Sequence, residues 1–286
     1  MSIECKPETR NPKPETQNSK PETRNPKPET QNSKLQTKNI MPSKLVLIPT
    51  YNEKENIENI IRAVFMLAGE FHILVIDDGS PDGTAGIVHR LMSEFPNSLF
   101  ILEREGKLGL GTAYIAGFRW ALARGYDYIF EMDADFSHNP EDLPRLYNAC
   151  NDEGADVAIG SRYISGVNVV NWPIGRVLMS YFASKYVRLI TGLKIADTTA
   201  GFKCYRRQVL ETIELDKIRF KGYAFQIEMK FTAYKCGFTL KEVPIIFINR
   251  RLGTSKMSGG IFGEAFSGVF KMKISSFSRK YPQKKA

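Results

Sequence analysis

The chain has 286 residues, 42% of them hydrophobic and 11% aromatic, enough to fill the core of one large domain or two small ones. Its net charge of +9 is concentrated at the ends: residues 1–40 hold 8 basic and 5 acidic side chains, residues 241–286 hold 10 and 2, and residues 41–240 hold 22 and 24. A near-neutral body excludes a basic groove along the whole fold, so no nucleic-acid partner is expected.

Residues 6–19 read KPETRNPKPETQNS, and residues 20–33 repeat them unchanged. The segment has no large apolar residue between Cys5 and Leu35, so it cannot bury enough surface to offset its ordering entropy. A disordered tail over residues 1–40 is expected, either a tether or a duplication without a role. Met41 stands just before the first apolar run, so a working protein that starts there is a further expectation. No apolar h-region of a secretory signal occurs near the N-terminus. Cys5, Cys150, Cys204 and Cys236 show neither CxxC spacing nor a nearby His, which fits reduced thiols in a cytosolic chain. The longest run without Asp, Glu, Lys or Arg is Tyr163–Gly175, too short and too polar to span a bilayer.

From residue 44 onward short apolar runs alternate with helical periods. Strands are predicted at Leu45–Pro49, Phe71–Ile76, Leu99–Leu102, Tyr128–Met132 and Val157–Ile159. Helices are predicted at Asn56–Ala68, Thr84–Glu94 and Gly111–Arg124, and another opens at Pro140. Continuously apolar strands separated by helices describe an α/β fold with a mostly parallel sheet covered on both faces. Ligands of such sheets gather at the carboxyl ends of the strands. Polar signatures fall there: Pro49–Glu53, Asp77–Thr84, Gly106–Gly111, Asp133–Asp135 and Arg162. Each alone is also ordinary turn chemistry.

Asp133-Ala134-Asp135 places two carboxylates at a strand end, where both can serve one hard cation and a diphosphate. Asp78, at another strand end, can accept hydrogen bonds from a base or ribose. Gly109-Leu110-Gly111 begins like a dinucleotide fingerprint, but Tyr114 replaces its third small residue and no acidic ribose partner follows the next strand. Asp78–Gly83 imitates a calcium loop whose twelfth position is His89 instead of Glu. Arg250 and Lys256, in a Gly-containing loop, suit phosphates.

Taken in order, PTYNE (49–53), IDDGSPDGT (76–84), KLGLGTAY (107–114), MDADFSHNP (132–140), GSRY (160–163), GFKCYRR (201–207), GYAFQIEM (222–229) and the R-x-x-G-x-S-K loop (250–256) resemble glycosyltransferase family 2. Within it they resemble the polyprenol-phosphate (dolichol-phosphate) mannosyltransferases. The resemblance implies a single α/β nucleotide-sugar-binding domain of the GT-A type. It implies an inverting, metal-dependent transfer of mannose from GDP-mannose to a polyprenyl monophosphate. Pro49, Tyr51, Glu53, Ile76 and Asp78 then face the guanosine half. Asp133, Ala134 and Asp135 form the metal and diphosphate turn, with Mg2+ or Mn2+ on the two carboxylates. Arg162, Arg250 and Lys256 face sugar and phosphates, and Asp135, Arg250 and Lys256 assist departure of the nucleotide. Ser137 falls where some relatives carry a Gln metal ligand. Glu228 lies near the position of a catalytic base in other members, but an ionised phosphate acceptor needs none, which leaves Glu228 a structural or positioning role.

A lipid acceptor requires access to a membrane surface. Arg176–Ile190 and Ile261–Ile274 read as amphipathic helices. The second carries Ile261, Phe262, Ala265, Phe266, Val269 and Phe270 along one side and runs into Lys271, Lys273, Arg279, Lys280, Lys284 and Lys285. The expected organisation is a tail (1–40), a catalytic domain (41–256) and a membrane-contacting helix with a basic tail (257–286). A cytoplasmic protein held peripherally on the cytoplasmic face follows, with or without a separate anchoring subunit. The rivals are the same chemistry with a UDP sugar such as UDP-glucose, and a basic nucleotide-binding protein without transferase activity.

Overall fold

A computed structural model of the chain describes residues 42–222, 224–249 and 260–285, with the side chains of the last segment from Phe266 onward. The repeat segment, Met41, Tyr223, the 250–256 loop with Arg250 and Lys256, and the side chains of Ile261, Phe262 and Ala265 lie outside the described residues.

The first four strands are β1 (Lys44–Thr50), β2 (Phe71–Asp77), β3 (Leu99–Glu103) and β4 (Tyr128–Glu131). They alternate with α1 (Ile57–Phe65), α2 (Thr84–Met92) and α3 (Leu110–Ala123). A 3-10 turn at Pro140–Asp142 leads into α4 (Leu143–Asn151), so Pro140 opens that turn rather than the helix itself. Then follow β5 (Val157–Ser161), β6 (Val169–Val170), α5 (Ile174–Thr191), β7 (Lys203–Arg206) and α6 (Arg207–Thr212). The chain continues through α7 (Ala224–Lys235), β8 (Leu240–Pro244), β9 (Phe247–Ile248) and α8 (Gly260–Ser278).

Seven strands form the main sheet in the order β3-β2-β1-β4-β7-β5-β8. All neighbours are parallel except β7, which runs antiparallel to both β4 and β5. The apolar pattern misses β7 because Lys203-Cys204-Tyr205-Arg206 reads as polar. It is nonetheless a central strand, since Lys203 lies opposite Glu131 in the register and the two charges pair. Strands β6 and β9 pair in parallel as a separate two-stranded sheet.

Alternate residues of each strand feed two cores. Leu45, Leu47, Leu74 and Ile76 pack with α3 and α7 residues such as Phe118 and Phe225. Val46, Ile48, Ile73 and Val75 pack with α1, α2 and α4 residues such as Ile60, Val88 and Leu146. The glycines of the GLGTAY stretch serve close packing. A Cβ on Gly111 would stand 2.7 Å from the Phe220 carbonyl oxygen and 2.8 Å from the Phe225 ring. Gly111 N–H also donates to Lys221 O at 2.8 Å.

Helix α8 packs on α5 and α7 through Val269 and Met272, with Tyr186 of α5 stacked on Phe266 at 4.1 Å. The expected apolar side is therefore divided. Val269 turns inward, while Phe266, Phe270, Ile274 and Phe277 face solvent. The free basic tail also needs correction. Lys284 Nζ pairs with the Asp156 carboxylate at 2.8 Å, and Lys284 N–H donates to Cys236 O at 2.8 Å. A buried carboxylate on the body holds that lysine, so it is not available to a lipid surface.

Gly111→Ala should destabilise the fold by about 1–3 kcal/mol in urea, because a backbone carbonyl must give way. Gly86→Ala in α2, where a Cβ meets nothing within 4 Å, should instead be neutral or gain up to about 1 kcal/mol.

Candidate active site

The carboxyl ends of β1 and β2 are joined by their own turn chemistry. Asp77 accepts from Thr50 Oγ1 (2.8 Å), Ser80 N–H (2.8 Å) and Ser80 Oγ (2.6 Å). Asp82 accepts from Thr84 N–H (3.0 Å), Thr84 Oγ1 (2.6 Å) and Lys54 N–H (3.0 Å). Two of the three acids in the DDGSPD stretch thus build the loops. The third, Asp78, lies 3.2 Å from Arg104 Nη1. Burial pushes its carboxyl above the ordinary range, and Arg104 opposes that shift. Pro49, Tyr51 and Glu53 are half-buried on the neighbouring strand end, and Lys107 sits over the Tyr51 ring at 5.1 Å. The Ile76 side chain is fully buried in the core, so a ligand could meet this residue only through its backbone.

The turn after β4 carries Asp133, Ala134 and Asp135, with Ala134 buried and Asp133 partly open. Asp135 Oδ1 accepts Ser137 N–H at 3.1 Å. Phe136 between them has a φ of 57°, a left-handed conformation that costs a bulky residue energy and marks functional turns. Asp133 N–H donates to His138 Nδ1 at 3.1 Å, which places the ring proton on Nε2. Burial pushes His138 down to about 4. Its 3.9 Å approach to Asp133 Oδ2 is thus not an ion pair at neutral pH.

Below this turn lies a buried polar network. Glu131 pairs with Lys203 Nζ at 3.0 Å and accepts from Gln226 Nε2 (2.7 Å) and Tyr205 Oη (2.9 Å). Lys203 also donates to Gln226 Oε1. Each of these side chains is almost completely buried. The network ties β4, β7 and α7 together two residues upstream of Asp133.

Arg162, at the end of β5, sits on Asp197. Its Nε and Nη2 each donate to the carboxylate at 2.7 Å, its backbone N–H donates at 3.0 Å, and Nη2 also reaches Thr199 Oγ1 at 2.8 Å. Burial would push the Asp197 carboxyl up, but the Arg162 charge and hydrogen bonds hold it below the ordinary range. Arg176 lies over the Trp172 ring at 4.0 Å and donates to Asn249 Oδ1 at 3.2 Å.

A cavity of about 520 Å³ joins the Asp133–Asp135 turn to Arg162 and Arg176. Asp133, Asp135, Ser137, Arg162, Arg176 and Gln226 supply its polar lining. Its apolar lining comes from Met179, Phe182 and Val187 of α5 and from Phe266 and Val269 of α8. Asp133, Asp135 and Arg162, noted from the sequence, are therefore brought together on one cavity. Asp78 and its neighbours on β1 and β2 are not part of that lining. Arg104, Trp172, Arg176 and Asn249 carry no motif of their own and become visible only as neighbours in space, and Gln226 of the GYAFQIEM stretch gains its place on the cavity only from the fold.

Among the described residues no three His, Cys, Asp or Glu converge as a closed metal site. Two carboxylates, with the buried Ser137 Oγ lacking a partner among the described residues, fit a hard cation that keeps waters and phosphate oxygens as further ligands.

Paired carboxylates and cations thus share one cavity at the carboxyl edge of a mostly parallel sheet. The chain belongs to glycosyltransferase family 2: residues 45–214 match the model of "Glycosyl transferase family 2". It is 51% identical over 225 residues to the polyprenol monophosphomannose synthase of Mycolicibacterium smegmatis, a match covering 79% of this chain and 84% of that one. It is 49% identical over 225 residues to the undecaprenyl-phosphate mannosyltransferase of Micrococcus luteus, covering 79% and 91%. Glucosyl-3-phosphoglycerate synthase from Mycobacterium tuberculosis, solved with Mn2+, UDP and glucosyl-3-phosphoglycerate, is structurally similar with a TM-score of 0.59. That likeness has 18% identity and covers 84% of this chain and 81% of that one. A mannosyltransferase from Pyrobaculum calidifontis with GDP-Man and Mn2+ aligns with a TM-score of 0.53 at 17% identity, covering 85% and 67%. The fold is the GT-A type in a single domain, as the resemblance implied.

Glu131→Gln should cost about 3–5 kcal/mol in urea unfolding, because it strands the Lys203 charge in the interior. Adding Lys203→Met should recover much of that loss.

Proposed function

We propose that the protein transfers mannose from GDP-mannose to a polyprenyl monophosphate with inversion, giving a polyprenyl β-mannosyl phosphate. The observation that supports this best is the half-identity, over four-fifths of the chain, to two enzymes named for mannosyl transfer to such lipids. The cavity agrees with it, since paired carboxylates and arginines share one space with the apolar sides of α5 and α8.

A phosphate monoester has a second pKa of about 6, so the acceptor already presents an ionised oxygen at neutral pH. No side chain has to take its proton. The histidines accordingly have other partners: His72 with Tyr126 (2.7 Å), His89 with Glu103 (2.9 Å), and His138 with Asp133 N–H. Glu228 accepts from Arg219 N–H (2.8 Å) and Phe220 N–H (3.0 Å), a loop-holding role. Arg162 and Arg176, which line the cavity, are assigned to a phosphate. Asp78, with Pro49, Tyr51 and Glu53, is assigned to the nucleoside, and Asp133 and Asp135 to Mg2+ or Mn2+. When bound there, the cation offsets negative charge that grows on the departing diphosphate. Arg250 and Lys256 are assigned to the same diphosphate.

Access to the lipid follows from α5 and α8. Ile174, Leu178, Met179 and Phe182 on α5, and Phe266, Phe270, Ile274 and Phe277 on α8, are exposed. Lys185, Arg188, Lys271 and Lys280 lie on the same helices or just after them and are also exposed. An apolar surface with nearby cations suits peripheral attachment to an anionic leaflet. No helix among the described residues is long and apolar enough to cross a membrane. On this reading residues 41–256 carry the chemistry, residues 257–286 add membrane contact, and residues 1–40 are dispensable. A cytoplasmic location at the inner face, with or without an anchoring subunit, follows from the same reading.

Parallel assays with GDP-mannose and UDP-glucose on polyprenyl phosphate test the donor. Turnover with GDP-mannose is expected, and turnover with UDP-glucose alone overturns the mannose assignment. Asp135→Asn should lower transfer by at least about 100-fold and weaken metal-dependent donor binding; an unchanged rate would favour a nucleotide-binding protein instead. Phe270→Glu with Phe277→Glu should reduce sedimentation with anionic vesicles while leaving the thermal midpoint near that of the parent. Unchanged sedimentation removes α8 from the membrane contact.

A further inference from the structure

Arg162 is the cation that β5 brings to the cavity, and its setting is unlike that of a surface arginine. Its side chain is 9% exposed and its partner Asp197 is fully buried. The two are joined by a two-pronged contact plus a bond from the Arg162 backbone, so the guanidinium can occupy one orientation. Rings bound it on several sides: Tyr163, Trp172 and Phe247 have their centroids 5.2, 5.5 and 5.5 Å away. Thr199 Oγ1 takes a further Nη2 hydrogen. Nη1 makes no hydrogen bond among the described residues, and Arg162 lines the cavity.

The carboxylate that fixes Arg162 is itself fixed. Glu242 of β8 accepts the backbone N–H groups of Ala196 (2.6 Å) and Asp197 (2.9 Å). A line of direct contacts thus runs from the edge strand β8 through Glu242 and Asp197 to Arg162 at the cavity wall. A buried ion pair is a poor source of stability, because desolvation consumes most of its Coulomb energy. It is a good way to hold a charge aimed at a place where a substrate charge arrives.

We infer that Asp197 is a positioning residue that sets the Arg162 guanidinium so that its Nη1 edge meets a substrate phosphate oxygen, and that Asp197 acts on transfer only through Arg162. This rests on the proposed reading of Arg162 as a phosphate-facing cation. The phosphate belongs either to the sugar nucleotide or to the lipid acceptor, and the Michaelis constant that moves tells which.

The test compares Arg162→Ala, Asp197→Asn and the double variant in the full chain. It measures kcat and KM for GDP-mannose and for polyprenyl phosphate, together with thermal midpoints. Arg162→Ala is expected to cost about 10- to 100-fold in kcat/KM, concentrated on one substrate. Asp197→Asn should move the same substrate's constant by a factor within about threefold of that. The double variant should be no more than about twofold worse than Arg162→Ala, since the second change has nothing left to act through. A purely structural Asp197 would lower the thermal midpoint, affect both substrates alike and multiply its loss with that of Arg162→Ala. That pattern, or an Asp197→Asn enzyme with unchanged constants beside an impaired Arg162→Ala enzyme, overturns the inference. Should Asp197→Asn alone fail to fold, the double variant retains no unpaired buried charge and still answers by comparison with Arg162→Ala. An Arg162→Ala enzyme with unchanged constants overturns the reading of Arg162 itself, and the inference with it.

Discussion

The Glu131–Lys203 pair is the constraint on which the site depends. It lies at the junction of two antiparallel neighbours in a sheet whose other neighbours are parallel. Charges there are tolerable only because Gln226 and Tyr205 complete the carboxylate's hydrogen bonds and Gln226 also receives one from Lys203. The consequence is geometric. Strand β4 is held on one side by β1 and on the other by β7, and the Asp133–Asp135 turn leaves its end from a defined position. The left-handed backbone at Phe136 is sustainable because what surrounds it is this rigid.

The same economy of buried charge recurs around the cavity. Asp197 holds Arg162, Arg104 faces Asp78, and burial keeps His138 neutral. Arg162 at the cavity and Asp78 at the strand edge are each backed by an opposite charge. Preorganisation of this kind suits a reaction in which the nucleophile arrives ionised and the remaining difficulty is charge on the leaving side.

Helices α5 and α8 use their faces differently from the helices of the body. Val187, Val269 and Met272 turn inward, while a second set of large apolar residues on both helices stays exposed. Both helices thus line the cavity and also present apolar surface outside it, and the proposed membrane contact rests on that surface. The C-terminal segment supports them: Lys284 on Asp156 and Gln283 on Lys235 O hold the chain after α8 against the body.

Much of this was readable along the chain. The apolar runs gave five of the strands to within a residue or two, and the signatures after them fell on one sheet edge because parallel strands must end on the same side. The resemblance of those signatures to a family correctly implied the fold. The sequence alone thus determined the strand–helix alternation and the position of the Asp133–Asp135 turn. Tertiary structure decided what depends on distant pairs. It placed polar β7 in the sheet centre, because a charge on another strand lies opposite Lys203. It withdrew the Ile76 side chain into the core, brought Asp197 under Arg162 across 35 residues, and returned Lys284 to Asp156 across 128. Periodicity and turn chemistry are local and appear in a single segment. The pairing of buried charges is a property of two segments and becomes legible only when the fold sets them side by side.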